Sequence, residues 1–304
     1  MSVIERALEK LRSAPEAVAH PARRGGTDPA APVQGQAGSQ PLPDAPVRPA
    51  VARHVEAPRL AISEQMLSDI GVRAPAEQLH QQNAEYRHIK RQLLAHIRLG
   101  STGSSRLLLV ASALSGEGKT FTAANLSLSL ALEPDYSVLL VDADVIKPNL
   151  TRLFALTEHK GLMDAATNPD SDVEDFIVTT NIDGLSILPA GQQHPNATEH
   201  FASLRTQQIF KQLLEAPNRI VVVDSLPLLL TTESRALLPH ADQVLLVIRA
   251  QSTPRQALMR ALDLMPDDTN VKLLLNAIER FRLGDYYGYG QGYVYNYAEK
   301  VKHD

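Results

Sequence analysis

A chain of 304 residues, 44% of them hydrophobic, is long enough to bury one large core or two ordinary ones. Its formal net charge of −4 gives no reason to expect a nucleic-acid partner, and the absence of cysteine excludes disulfides, zinc–thiolate centres and thiol nucleophiles. No apolar run approaches the roughly 20 residues that span a bilayer, and the N-terminus lacks the apolar core of a signal peptide, so the expectation is one soluble cytoplasmic domain with appendages.

Residues 2–13 carry Ile4, Leu8 and Leu11 at helical spacing among charges, which predicts a short amphipathic helix: a tethered docking element or a frayed terminus. Residues 14–60 shift to Ala, Pro, Gly and Gln, with too few large apolar side chains to offset the entropy of ordering, and read as a disordered linker. The main domain is expected over 61–284. It begins with a short amphipathic piece, 62–71, and a longer helix over 77–99 whose stripe is Tyr86, Ile89, Leu93, Leu94 and Ile97. Apolar strands and helical patterns then alternate: strand 106–112, helix 119–132, strands 137–142 and 185–189, helix 200–215, strand 219–224, helix 232–238, strand 243–248, helix 254–265 and strand 270–276. Strands that are apolar throughout and alternate with helices predict an α/β fold, a mainly parallel sheet with helices on both faces. The polar span 155–183 reads as an excursion from the sheet near the site.

Between the first of those strands and its helix lies Ser-Ala-Leu-Ser-Gly-Glu-Gly-Lys-Thr, residues 112–120. Strand, glycine loop, helix is the setting of a phosphate-binding loop: Gly116 and Gly118 let successive N–H groups turn inward, and the helix start adds its unpaired donors. Lys119 would bridge the terminal phosphates of a nucleotide and the Thr120 hydroxyl would meet Mg²⁺. Ala113 stands where the strict pattern has its first glycine. Two later strands end in carboxylates, Asp142 with Asp144, and Asp224. Ligands of open parallel sheets bind at those strand ends, so Thr120, Asp142 and Asp224 are candidate Mg²⁺ ligands.

Taken together, Ser-Gly-Glu-Gly-Lys-Thr, Leu-Leu-Val-Asp-Ala-Asp-Val-Ile-Lys-Pro and Val-Val-Val-Asp-Ser-Leu-Pro resemble the Walker A, Walker A′ and Walker B motifs of bacterial tyrosine kinases. The resemblance is nearest to the tyrosine autokinases of exosortase and exopolysaccharide systems, and covers roughly residues 75–297 plus the N-terminal helix. It implies a P-loop NTPase of the deviant-Walker type, with ATP and Mg²⁺ as cofactors. The implied catalytic residues are Lys119 on the phosphates, Asp142 as the base for an incoming tyrosine, Asp144 beside it, and Asp224 at the metal. The nucleotide contacts expected are Ser115, Gly116, Glu117, Gly118, Lys119, Thr120, Phe121 and Asn276. An unperturbed tyrosine has a pKa of about 10, so a base is needed. The family's Glu-x-x-Arg-x-x-Arg docking helix reads Ala84, Arg87 and Lys90 here, with Glu85 displaced by one, and Lys147 stands in a usual arginine position.

The tail, residues 285–304, holds Tyr286, Tyr287, Tyr289, Tyr293, Tyr295 and Tyr297, interleaved with glycine. Only Tyr86 and Tyr136 occur elsewhere, so the clustering marks candidate autophosphorylation sites. About 20 residues reach roughly 60 Å when extended, enough for the chain's own site or a neighbour's. The rival readings are a partitioning-type ATPase and a nucleotide-binding regulator without kinase activity. Leu114, where such ATPases carry a signature lysine, and the tyrosine tail count against the first. Self-association, a membrane-embedded polysaccharide chain-length regulator as partner, and a peripheral place at the inner membrane through it are implied by the resemblance alone.

Overall fold

The computed structural model describes residues 59–71, 76–97, 105–266 and 269–278. The expected N-terminal helix, nearly all of the linker and the tyrosine-rich tail lie outside the described residues.

Helices α1 (Glu64–Asp69) and α2 (Ala76–Leu94) precede strand β1 (Leu107–Ser112) and helix α3 (Lys119–Ala131). Strand β2 (Ser137–Asp142) leads into α4 (Asn149–Leu153) and α5 (Leu162–Thr167), a 3₁₀ turn at Val173–Phe176, and strands β3 (Val178–Thr179) and β4 (Leu185–Leu188). Then come α6 (Ala197–Phe201), α7 (Leu204–Leu213), β5 (Arg219–Asp224), α8 (Glu233–Leu237), β6 (Gln243–Arg249), α9 (Arg255–Asp263) and β7 (Asn270–Asn276). The described strands form one sheet in the order β3-β4-β2-β5-β1-β6-β7, parallel throughout except for β3 against β4. The expected α/β architecture is the one observed.

The unbroken apolar strands have a simple cause: each must fill both faces at once. Leu107, Leu109 and Ala111 of β1 join Leu139, Val141, Val221 and Val223 in one core, which α5 to α9 cover. The intervening Leu108 and Val110 join Val138, Leu140, Ile220 and Val222 in the other, under α1 to α4. Alternation therefore puts Asp142 and Asp224, the last residues of β2 and β5, on the α3 face, and the register aligns them with each other.

Three expectations shift. The span 155–183 returns to the sheet as β3, antiparallel to β4, and Glu174 anchors it through a two-pronged ion pair with Arg219 at 2.5 and 2.9 Å. The helix expected over 200–215 is two helices, because Ser203 breaks the run and caps α7 by accepting from the Thr206 N–H. Leu60, assigned to the linker, is part of the domain: its N–H donates to the Thr179 carbonyl at 2.8 Å and its carbonyl accepts from Asn181 at 3.0 Å.

On α2, Tyr86 and Leu93 are buried as the stripe requires, and so is Lys90. Its ammonium donates to the Ser129 carbonyl at 2.9 Å and pairs with Glu133 at 2.5 Å, so it caps the end of α3 rather than facing outward. A buried charge that loses its hydrogen bonds costs more than an exposed one, so Lys90→Met is expected to lower unfolding stability by about 1–3 kcal/mol. Chemical denaturation at two protein concentrations checks this. The loss should be the same at both, since the contact lies within one chain.

Candidate active site

The loop after β1 is held from behind by side chains. The Glu117 carboxylate is buried, accepts from the Leu114 N–H at 2.7 Å, and makes a very short hydrogen bond with the Thr253 hydroxyl. Arg249 donates to the Gly116 carbonyl at 3.1 Å and Asn276, at the end of β7, donates to the Glu117 carbonyl at 3.0 Å. Gly118 has φ +99°, and a Cβ there would lie 2.0 Å from Asn276 Nδ2, so both backbone conformation and close approach demand glycine. The turn delivers Lys119 and Thr120 as the first residues of α3, where free helix N–H groups and the dipole favour an anion.

In front of the loop is a cleft of about 340 Å³. Ser115, Gly116, Gly118, Lys119, Thr120 and Phe121 line it, as expected of nucleotide contacts, and Asp144 joins them from the loop after β2. Glu117 and Asn276 do not line it. Their side chains are bonded to the loop and its supports instead. Phe121 also packs edge-on against Tyr86, with ring centroids 6.3 Å apart.

The carboxylates divide into two roles. The Thr120 hydroxyl donates to Asp224 Oδ2 at 2.7 Å, while Asp224 Oδ1 is buried without a hydrogen-bond partner. A carboxylate oxygen left in that condition suits a hard cation, which would also favour the ionised form, so Thr120 and Asp224 fit a magnesium ion. Among the described residues no group of three or more acidic or histidine side chains is placed to hold a metal by itself, so the nucleotide's own oxygens would complete the shell. Asp142 is tied to its own surroundings more than Asp224 is. One oxygen accepts from both the N–H and the hydroxyl of Thr151, each at 2.8 Å, and the other from the Asp144 N–H at 3.1 Å. Its work is to fix α4 and the loop that presents Asp144, whose own carboxylate accepts from the Lys147 N–H at 2.8 Å.

Burial pushes Asp224 up to about 8, with the neighbouring Asp142 charge adding to the rise and the Thr120 hydrogen bond and Lys119 opposing it. Burial also raises Asp142, to about 6, against the hydrogen bonds from Thr151 and Asp144. Asp144 is raised as well, again by burial. Sequence reasoning missed Thr151, Thr253 and Arg249, which lie on segments far apart along the chain, and Ile146, Pro227 and Leu230, which also line the cleft. The tail tyrosines lie outside the described residues.

With this geometry in hand, a protein-family profile described as an AAA domain matches residues 105–274. The chain belongs to that family. It is 28% identical to the tyrosine-protein kinase CpsD of Streptococcus agalactiae over 62% of this chain and 82% of that one. It is 30% identical to the succinoglycan biosynthesis transport protein ExoP of Rhizobium meliloti (strain 1021) over 83% of this chain but only 31% of ExoP. Among solved structures the VpsO kinase domain aligns with TM-score 0.58 and 26% identity, over 68% of this chain and all of that one. The resemblance to bacterial tyrosine kinases carried by the three motifs therefore holds, and the family fold is the P-loop fold described above. Among the described residues no helix is long and apolar enough to cross a membrane.

The raised Asp224 makes a testable demand on the ligand-free family member. An unfolded carboxyl titrates near 4, so from there to about 8 the folded state holds the proton longer and loses stability as pH rises. Asp224→Asn removes that loss. The Tm difference between variant and parent, followed from pH 5 to 8 without nucleotide, should move in the variant's favour, at about 2–4 °C per kcal/mol. Added Mg-nucleotide should stabilise the parent more than the variant, and a pH-independent difference would refute the assignment.

Proposed function

We propose that the chain is an ATP-dependent protein-tyrosine autokinase that transfers the γ-phosphoryl group of Mg-ATP to tyrosines of its own tail, among Tyr286, Tyr287, Tyr289, Tyr293, Tyr295 and Tyr297. The observation that carries this reading is the shared cleft: Lys119 and the α3 N-terminus on one side and Asp144 on the other, with the Thr120–Asp224 pair behind. The relatives' names as tyrosine-protein kinases support it.

In the transfer, a bond forms between the phenolic oxygen and the γ-phosphorus, the bond from that phosphorus to the β,γ-bridging oxygen breaks, and ADP leaves with the electron pair. The phenolic proton passes to Asp144, which lines the cleft, rather than to Asp142, which is fully buried. A raised pKa suits Asp144 to take that proton. Lys119 and the loop N–H groups hold the phosphates, and a magnesium ion on Thr120 and Asp224 would neutralise their charge. Catalysis is otherwise positioning and charge neutralisation.

Regulation of exopolysaccharide synthesis or export is the setting proposed, on the strength of relatives such as ExoP. A membrane-embedded chain-length regulator would be the partner and would hold the chain at the inner membrane. Self-association is proposed too, by contacts that leave Lys90 of the docking helix paired with Glu133 within the chain.

Incubation with γ-labelled ATP and Mg²⁺, followed by phosphopeptide mapping, tests the reading, which expects label on tail tyrosines. Lys119→Met should abolish labelling. Asp144→Asn should slow it by about 10²–10⁴-fold, the usual worth of a general base, with nucleotide affinity nearly unchanged. Asp142→Asn is expected to lose stability as well, since an amide donor would then face the Thr151 or Asp144 N–H. Release of free phosphate with no labelled tyrosine would sink the kinase reading.

A further inference from the structure

Phosphate and metal account for only part of the cleft lining. The lining also includes large apolar side chains that the fold leaves in solvent, Ile146, 45% exposed, and Leu230, 60% exposed, together with Pro227. Neither belongs to the two cores. Both are held out by hydrogen-bonded loops. Gln193 donates to the Ile146 carbonyl at 2.9 Å, and the next N–H, that of Lys147, is tied to Asp144. Leu230 sits in a turn whose N–H groups at 230 and 231 donate to the Pro227 carbonyl, which also accepts from the Thr231 and Ser234 hydroxyls. Exposed apolar groups on fixed loops, in the same cleft as the Asp144 carboxylate, suit a ligand that is flat and apolar with one acidic hydroxyl at its end.

We propose that Ile146, Leu230 and Pro227 form the seat for the acceptor's tyrosine ring, which directs its hydroxyl to Asp144, and that the ring comes from the segment Asp285–Tyr297. This rests on the kinase reading and names its acceptor subsite. The described chain ends at Ile278, two residues after Asn276, which touches the phosphate loop. From Ile278 to Tyr286 is eight residues, at most about 29 Å of extended chain. The described chain therefore ends close to the phosphate loop, and that length of chain is enough to bring Tyr286 round the loop to the cleft. A ring seat also fits a segment whose tyrosines lie among glycines, since the contact needs the ring and little of its flanks.

The test uses the full chain with Ile146→Ala, Leu230→Ala and, as a control outside the cleft, Leu204→Ala, which is 77% exposed at the start of α7. A synthetic peptide of residues 283–298 serves as acceptor in trans, and affinity for a fluorescent ADP analogue with Mg²⁺ is measured alongside. The expected result for the two seat variants is at least a tenfold fall in kcat/KM for the peptide, carried by KM. Nucleotide affinity should stay within about twofold, Tm should be unchanged, and Leu204→Ala should behave as the parent. Leu230→Met should restore much of the loss. A parallel fall in nucleotide affinity would assign these side chains to the base of the nucleotide and overturn the proposal, as would an unchanged KM. If the parent chain binds Mg-nucleotide yet labels no tyrosine, the kinase reading itself fails and the seat with it.

Discussion

Two carboxylates, Asp142 and Asp224, lie buried side by side at the ends of adjacent parallel strands. Burying a carboxylate charge is expensive, which drives both toward their protonated forms, and the nearby Asp142 charge pushes Asp224 further. The structure resolves the conflict by treating them differently. Asp142 accepts three hydrogen bonds from Thr151 and Asp144 and so brackets two segments together. Asp224 is given one donor and left short of another. Much of the site follows from that asymmetry: an oxygen that the protein alone does not satisfy sits beside the loop that binds phosphate.

The phosphate loop itself is stabilised from the side away from the cleft. Glu117, Thr253, Arg249 and Asn276 come from the loop, the β6–α9 connection, the end of β6 and the end of β7. Their bonds to loop backbone and to one another leave the inward N–H groups of the turn without a competing internal acceptor among these four. A loop fixed in this way meets an anion with little reorganisation, the property that makes electrostatic stabilisation effective. Strand β7 is therefore more than a sheet edge, since it supplies the side chain that Gly118 must accommodate.

The fold was legible in the sequence because a strand covered on both faces has to be apolar at every position, and these are: Leu107 to Ala111, Val138 to Val141 and Ile220 to Val223. The glycine loop and the strand-terminal aspartates were legible for a related reason, since their chemistry is local to a strand end. What sequence could not supply was the partner of each carboxylate. Asp142 and Asp224 look alike on paper, each closing an apolar strand, and only the position of Thr151, nine residues on and brought back by α4, separates a bracket from a candidate metal ligand. The Glu117 side chain is a similar case. Its place inside the motif says nothing of its partner Thr253, which lies 136 residues away.

The same reasoning explains why Ile146 and Leu230 went unnoticed. An exposed isoleucine or leucine carries no signal by itself, because folded surfaces are largely apolar anyway. Their meaning comes from the loops that hold them and from Asp144 between the ends of those loops in the same cleft. The Asp142 bracket matters here too, since it fixes the stretch from Asp144 to Thr151 that carries Ile146 and Lys147. Through those bonds Asp142 would govern the site at one remove, by setting where Asp144 and the proposed seat stand relative to the phosphates.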